Sequence, residues 1–404
     1  MPESSEPRYD AAIGQRIQAI RVQRGLTQQG LAQRAHLSYS AITKVESGHR
    51  PATPAVTAAC ARALRVPVTD LTGQPFTAEM REDQLEEMIQ PLRAIVASPL
   101  LPVEAVQPRT AAALLADVEQ LDAARLRADY LVVGTAAPPL LDELLTLAEE
   151  KGAAREQLYD RVSFTYRLAS AMAYKFGYHD LSLLALERAD QAAQRAADPF
   201  SPAAVAEARS KVLLSWGQHE VGQAEIARGE AIVADAADRG DVRALSLRGS
   251  LHLKRSIVHA RRRSQSAAAD ASAHLAEARE IAGRIAGTPD PYGLVFDATN
   301  VGIHAVGVAL DQGDAGAAVE ESAKVHLPKG WAASRSSRHH LDLARAHERL
   351  GNEEEALKSL TAARTASAIQ TRYHPGTRET VLALLRKRRT AAAPLASFAR
   401  WVGV

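Results

Sequence analysis

Between positions 38 and 50 the chain sets out Ser38, Tyr39, Ser40, Thr43, Lys44, His49 and Arg50. Residues 39, 40, 43 and 44 follow the i, i+1, i+4, i+5 rhythm that puts side chains on one helical face, opposite Ile42 and Val45. Hydroxyls donate or accept hydrogen bonds, and an ammonium only donates. A row of this kind suits recognition of polar edges and anions, not bond cleavage. No residue set supports catalysis: there is no phosphate-binding glycine loop, zinc-protease helix motif or nucleophile elbow.

The elements that must hold this row are legible around it. Ile13, Ile17 and Ile20 recur on one face of a first helix, which Gly25 ends. Thr27 caps a second helix, whose Leu31 and Ala35 turn inward. A turn at Ala35-His36-Leu37 leads to Ser38, the cap of a third helix with Ile42 and Val45 inward and Gly48 at its stop. A fourth helix follows Pro54, with Val56, Ala59, Cys60, Ala63 and Leu64 as its apolar stripe, and a short turn at Asp70-Leu71 closes the set. Gly30 inside the second helix costs roughly 1 kcal/mol relative to Ala. The formal net charge is only +2. The first 75 residues nevertheless carry Arg8, Arg16, Arg21, Arg24, Arg34, Lys44, Arg50, Arg62 and Arg65 against few acids, the local excess that phosphate contact needs. Cys60 is the only cysteine, so no internal disulfide forms, and a reducing cytoplasm is expected with Cys60 as plain core.

Gly25-Leu26-Thr27-Gln28, Leu31-Ala32, Ser38, Ile42, Glu46-x-Gly48, Pro51 and Ala63-Leu64-x-Val66 together resemble the Cro/repressor (XRE) helix-turn-helix family over about 60 residues. The resemblance implies a five-helix, lambda-repressor-like DNA-binding domain over residues 8–74. It implies that the outer face of the third helix enters the major groove, with Tyr39, Ser40, Thr43 and Lys44 reading bases. Gln28, Ser38, His49 and Arg50 are then expected at the DNA backbone. Arg21 and Glu46 match a family pair that joins the first and third helices, a structural ion pair. His36 departs from the family's preferred Gly in a left-handed turn, where His is tolerated better than most residues.

Gly73-Gln74-Pro75 breaks the pattern. Residues 75–108 read as a helical linker, with Thr77–Val96 as one amphipathic helix carrying Met80, Leu85, Met88, Ile89 and Leu92. Residues 109–404 read as nearly continuous helix. With aromatics at 4% and hydrophobic residues at 46%, an all-α chain packed through small side chains is expected. No apolar stretch reads as long enough to span a bilayer, and the acidic, polar start does not read as a signal peptide.

The segment HHLDLARAHERLGNEEEALKSLTAA places Leu343, Ala344, His347, Gly351, Ala356, Leu360 and Ala363 at the spacing of a tetratricopeptide repeat. A second unit centres on Gly177, with Tyr166, Ala169, Ala173, Leu186 and Ala189. Weaker units centre on Gly217, Ser266 and Gly313. About five degenerate repeats are expected over residues 160–370, an α-solenoid serving as sensor and dimerisation domain. With the N-terminal module, the chain resembles large tetratricopeptide regulators of actinobacteria. That resemblance implies a homodimeric, effector-responsive transcription regulator acting on operator DNA. The alternative is an interaction scaffold that binds a protein partner and is localised by its DNA module.

On that repeat template the concave face carries Phe164, Arg167, Tyr174, Lys175, Glu207, Lys211, Arg263, Asn300, Arg338 and Arg345. The cationic balance suits an acidic small molecule or a peptide carboxylate as effector. Neither cofactor nor metal is expected: adjacent His339 and His340 point apart on a helix, and no carboxylate completes a site with His347. The end of the chain, with Phe398, Trp401 and Val402, reads as a capping or dimer-contact helix.

Overall fold

A computed structural model of the chain describes residues 12–104, 106–149, 155–262, 264–387 and 393–404. Among the described residues the secondary structure is all helical, with no strand. The first five helices are α1 (Ile13–Gln23), α2 (Gln28–Ala35), α3 (Tyr39–Glu46), α4 (Pro54–Leu64) and α5 (Val68–Thr72). Each start has a local cause. The Thr27, Ser38 and Thr53 hydroxyls accept from the amides of Gly30, Ala41 and Val56, satisfying orphan donors of α2, α3 and α4. His36 ends α2 in the left-handed region at φ 53. Ile17, Leu31, Ile42, Cys60, Leu64 and Leu71 are fully buried in one core. Burial pushes the Cys60 thiol up to about 12, so it packs as a small apolar group. At Gly14 a Cβ would lie 2.0 Å from the Val45 carbonyl oxygen, so α1 and α3 touch backbone to backbone and only glycine fits.

The region after Pro75 differs from its reading as one long helix. It forms α6 (Thr77–Glu82), a 3-10 turn (Glu86–Met88) and α7 (Ile89–Ala97). Gln84 takes a left-handed φ of 57, and the Leu85 amide donates to the Met80 carbonyl. The break lets Met80, Leu85, Met88, Ile89 and Leu92 all enter one core. Asp83 there accepts from the Tyr373 hydroxyl at 2.6 Å and from Arg372 at 2.7 Å. Long-range bonds thus override local periodicity. The apolar side of this connection belongs to the main core.

Helices α8 (Ala111–Leu126) and α9 (Tyr130–Glu149) precede five antiparallel pairs. These are α10 (Arg155–Lys175) with α11 (His179–Ala193), α12 (Ser201–Ser215) with α13 (His219–Asp238), α14 (Val242–Ala260) with α15 (Gln265–Arg284), α16 (Ala298–Gln312) with α17 (Ala315–Ala323), and α18 (Ala333–Leu350) with α19 (Glu353–Ala366). Four pairs turn at Gly177, Gly217, Gly313 and Gly351, as the spacing predicts. In the third pair the turn ends on Ser264, which caps α15 through the Ala267 amide, slightly before the expected centre at Ser266. Ala169, Ala173, Ala185 and Ala189 are fully buried where α10 crosses α11, and Ala344, Ala356 and Ala363 where α18 crosses α19. Small side chains at the crossings let the pairs stack. Helices α20 (Ala368–Tyr373), α21 (Pro375–Arg386) and α22 (Ala393–Val402) close the array. Leu395, Phe398 and Val402 of α22 bury against α18, α19 and α21, so this helix caps the core.

The expectation that no apolar stretch could span a bilayer meets one exception. Helix α9, 20 residues long, is long and apolar enough by composition. More than half of that window is buried, and Asp142 and Glu143 on it accept from the Val103 and Arg109 amides. Its packing is that of a core helix.

Candidate nucleic-acid interface and the cavity behind it

The outer face of α3 is open. Tyr39 is 56% exposed, and Ser38, Ser40 and Lys44 are exposed beside it, while Ile42 and Val45 anchor the opposite face. Behind the row lies a closed charge network. Arg21 Nε and Nη2 donate to Glu46 Oε1 and Oε2 at 2.6 and 2.8 Å, a bidentate pair that is almost wholly buried. Arg21 Nη1 donates to the Leu26 carbonyl at 2.7 Å. The Glu46 bond raises the Arg21 guanidinium above its usual range. The pair pins α1 to the end of α3 and so fixes the angle of the outer face.

Two side chains expected at DNA are drawn into this network. Gln28 Nε2 donates to Glu46 Oε2 at 2.9 Å, and the half-buried Thr43 hydroxyl donates to the Tyr39 carbonyl at 3.1 Å. The half-buried side chain of Gln28 is thus held by Glu46 at the start of α2. The Ser38 hydroxyl caps α3. His49 Nδ1 is 2.7 Å from the Ser47 hydroxyl, and the Arg50 amide donates to the Lys44 carbonyl at 2.9 Å, which orders the loop after α3.

This module sits on the helical array. The Ile13 amide donates to Glu379 Oε1 at 2.8 Å, Arg62 Nη1 to the Gly217 carbonyl at 3.0 Å, and Arg386 Nη1 to the Gly48 carbonyl at 3.0 Å. Trp216 packs on the module's own core. Tyr39, Ser40 and Lys44 stay exposed in the docked arrangement, so docking leaves the outer face uncovered.

Beneath the seam lies a cavity of about 190 Å³ inside the array. Of the residues expected on the concave face, Tyr174, Lys175, Lys211, Asn300, Arg338 and Arg345 all line it. A second cavity of about 170 Å³ shares Tyr174, Lys175, Arg338 and Arg345 and is closed on its other side by Pro51, Pro54, Val68 and other module residues. Phe164 and Arg167 stand apart in a side annex, where Arg167 donates to the Tyr292 carbonyl and lies over the Phe164 ring. Arg263 lies outside the described residues.

The charges of this cavity are unevenly compensated. Asp342 is shared by Arg338 at 2.7 Å and Arg345 at 2.9 Å. Burial alone would raise its carboxyl, but the two guanidiniums hold it down at about 2. Lys254 pairs with Glu207 at 2.7 Å, and Arg261 with Asp311 at 3.0 Å. Among the described residues no carboxylate forms an ion pair with Lys175, Lys211 or Arg335. Burial lowers Lys211 to about 7 although Glu207 opposes the shift. Burial, reinforced by Lys211 and Arg335, pushes the Lys175 ammonium well below its usual range. Asn300 is 2% exposed, and its Oδ1 has no hydrogen-bond partner.

Sequence reasoning missed Arg125, Lys254, Arg261 and Arg335 in this wall. Arg335 was legible: it precedes Arg338 by three positions and starts the stripe that continues through Asp342 and Arg345. Lys254 and Arg261, seven apart, form a similar stripe. Arg125 comes from α8, outside the repeat pairs, and carries no signal. Within the basic run, Arg261 donates to Asp311 and Arg262 to Gln223.

Residues 12–72 match the family model of a helix-turn-helix domain. No curated protein matches the chain significantly in sequence. Among solved structures, Bacillus thuringiensis PlcR in complex with the peptide PapR7 and DNA is similar at 15% identity, over 67% of this chain and 93% of that chain, with a TM-score of 0.28.

Proposed function

We propose that the chain is a sequence-specific, DNA-binding transcription regulator of the Cro/repressor type, active as a homodimer in the cytoplasm. Its helical-repeat region would receive a small-molecule or peptide effector that modulates operator binding. The reading divides the chain as 8–74 for the DNA module, 75–108 for the connection and 109–404 for the sensor. The observation that carries it is the open outer face of α3, fixed from behind by the Arg21–Glu46 pair within a matched helix-turn-helix domain. Tyr39, Ser40 and Lys44 would read bases, joined by Thr43 if DNA displaces its bond to Tyr39. Lys44 suits guanine O6 or N7. Ser38, His49, Arg50 and the free amides at the start of α2 would meet phosphates.

Two modules in a dimer read half-sites about one helical turn apart or a multiple of it. An effector switches such a protein only by binding two arrangements with different affinity, and the cavity wall shared by module and array offers that difference. Footprinting on the DNA upstream of its own gene tests the reading. Protection of a two-fold symmetric site at roughly 1 µM, tighter than most non-specific binding, is expected; uniform or absent protection contradicts it.

A further inference from the structure

The repeat array holds more positive charge than it needs to fold. Lys175 from α10, Lys211 from α12 and Arg335 and Arg338 from α18 converge on one cavity from three separate helix pairs. In a folded interior, charges are normally paired, because an unpaired buried ion costs far more than its contacts return. Here the pairing stops short: Arg338 shares its carboxylate with Arg345, and Lys175, Lys211 and Arg335 have none within ion-pair range among the described residues. The orphaned Asn300 Oδ1 adds a buried polar group on the same wall. Since the carbonyl oxygen and amine of such a side chain are exchangeable by a flip, Asn300 serves a ligand acceptor or donor equally well.

We propose that this cavity is the site of a small molecule bearing two or more negative charges, held by Lys175, Lys211, Arg335 and Arg338 and seated against the DNA module. The inference rests on the effector-sensing reading above and names its ligand class. Three basic side chains with no ion-paired carboxylate, beside the shared Arg338, call for more than a single negative charge. The size follows from the adjoining cavities of about 190 and 170 Å³, which together lie near the lower end, roughly 300 Å³, of pockets for drug-sized ligands. The placement follows from the shared lining, where Lys175, Arg338 and Arg345 border both cavities while Pro51, Pro54 and Val68 of the module close the second. A ligand neutralising this wall removes repulsion directly behind the seam, which couples its binding to the module's position.

Calorimetric titration of the full chain tests the proposal, with inorganic pyrophosphate, citrate and an acidic hexapeptide as separate probes. Saturation at one anion per chain by pyrophosphate or citrate is expected, with a raised melting temperature. Pyrophosphate alone assigns a phosphate-bearing ligand, and citrate alone a polycarboxylate. The Lys175→Gln/Lys211→Gln variant should weaken that binding by about tenfold or more while melting higher than the unliganded wild type, which also shows that it folds. The proposal is overturned if neither anion binds, if binding survives in the double variant, or if only the hexapeptide saturates. Footprinting of the same preparation separates the two readings. DNA protection without anion binding removes this inference alone, and anion binding without DNA protection removes the regulator reading alone.

Discussion

The DNA module and the cavity behind it treat buried charge in opposite ways. In the module, Arg21 meets Glu46 through two bonds, and Gln28 is drawn into the same network. In the cavity, the half-buried Lys175, Lys211 and Arg335 have no ion-paired carboxylate among the described residues, while Asp311 and Asp342 on the same wall are held by other cations. A closed pair fixes geometry, as a reading face that must meet DNA at a set angle requires. An open cluster holds repulsion that an added anion would relieve, as the proposed sensor role requires. The same residue types thus serve architecture in one place and recognition in the other, and compensation distinguishes them better than burial does.

The sharpest way to break this contrast is to open the closed pair. Glu46→Ala should cost the module about 3–5 kcal/mol, because it strands Arg21 in the interior. Denaturant unfolding measures the loss, and a change within error would reduce the pair to surface decoration. The next effect should have the opposite sign. Lys211→Met removes a half-buried cation that has no ion-paired carboxylate and should raise the stability of the unliganded chain, by less than Glu46→Ala lowers it.

The pH dependence follows the same logic. Lys211 binds its proton less well folded, at about 7, than unfolded, at about 10.4. Its destabilising contribution is therefore complete below pH 7 and fades as pH rises from 7 towards 10, where the unfolded chain still binds the extra proton. Unfolding free energies of wild type and Lys211→Met should converge across that window; parallel curves would place Lys211 outside the repulsive cluster.

Smaller effects probe the open face. Lys44→Ala should weaken specific DNA binding by about 1–3 kcal/mol and relax preference at one base pair, with the melting temperature unchanged; a gel-shift series on single-base variants reads both. Ser38→Ala should cost about 1 kcal/mol of stability through the lost cap of α3, in thermal unfolding without DNA.

The sequence was most readable where structure is local. Thr27, Ser38, Thr53 and the turn at His36 act within four residues, so type and spacing suffice. The glycine turns of four helix pairs were legible for the same reason, and so was the concave position of Tyr174, Lys175, Lys211, Asn300, Arg338 and Arg345. The break at Gln84 was hidden because its causes, Arg372 and Tyr373, lie almost 290 positions away. The bond from Gln28 to Glu46 was not legible, because it joins two helices 18 positions apart. The closure of the cavity by Pro51, Pro54 and Val68 depends on how the module docks, and no periodicity encodes that.

The central claim is that the open face of α3 reads a DNA sequence as one half of a dimer. Selection of bound duplexes from a random pool by the full chain tests it most directly. The account predicts an enriched two-fold symmetric sequence with half-site centres about 10 base pairs, or a multiple, apart, with preference relaxed at one base pair of each half-site in the Lys44→Ala variant. A pool that stays at its input composition, or an identical enriched sequence in the Lys44→Ala variant, would contradict it.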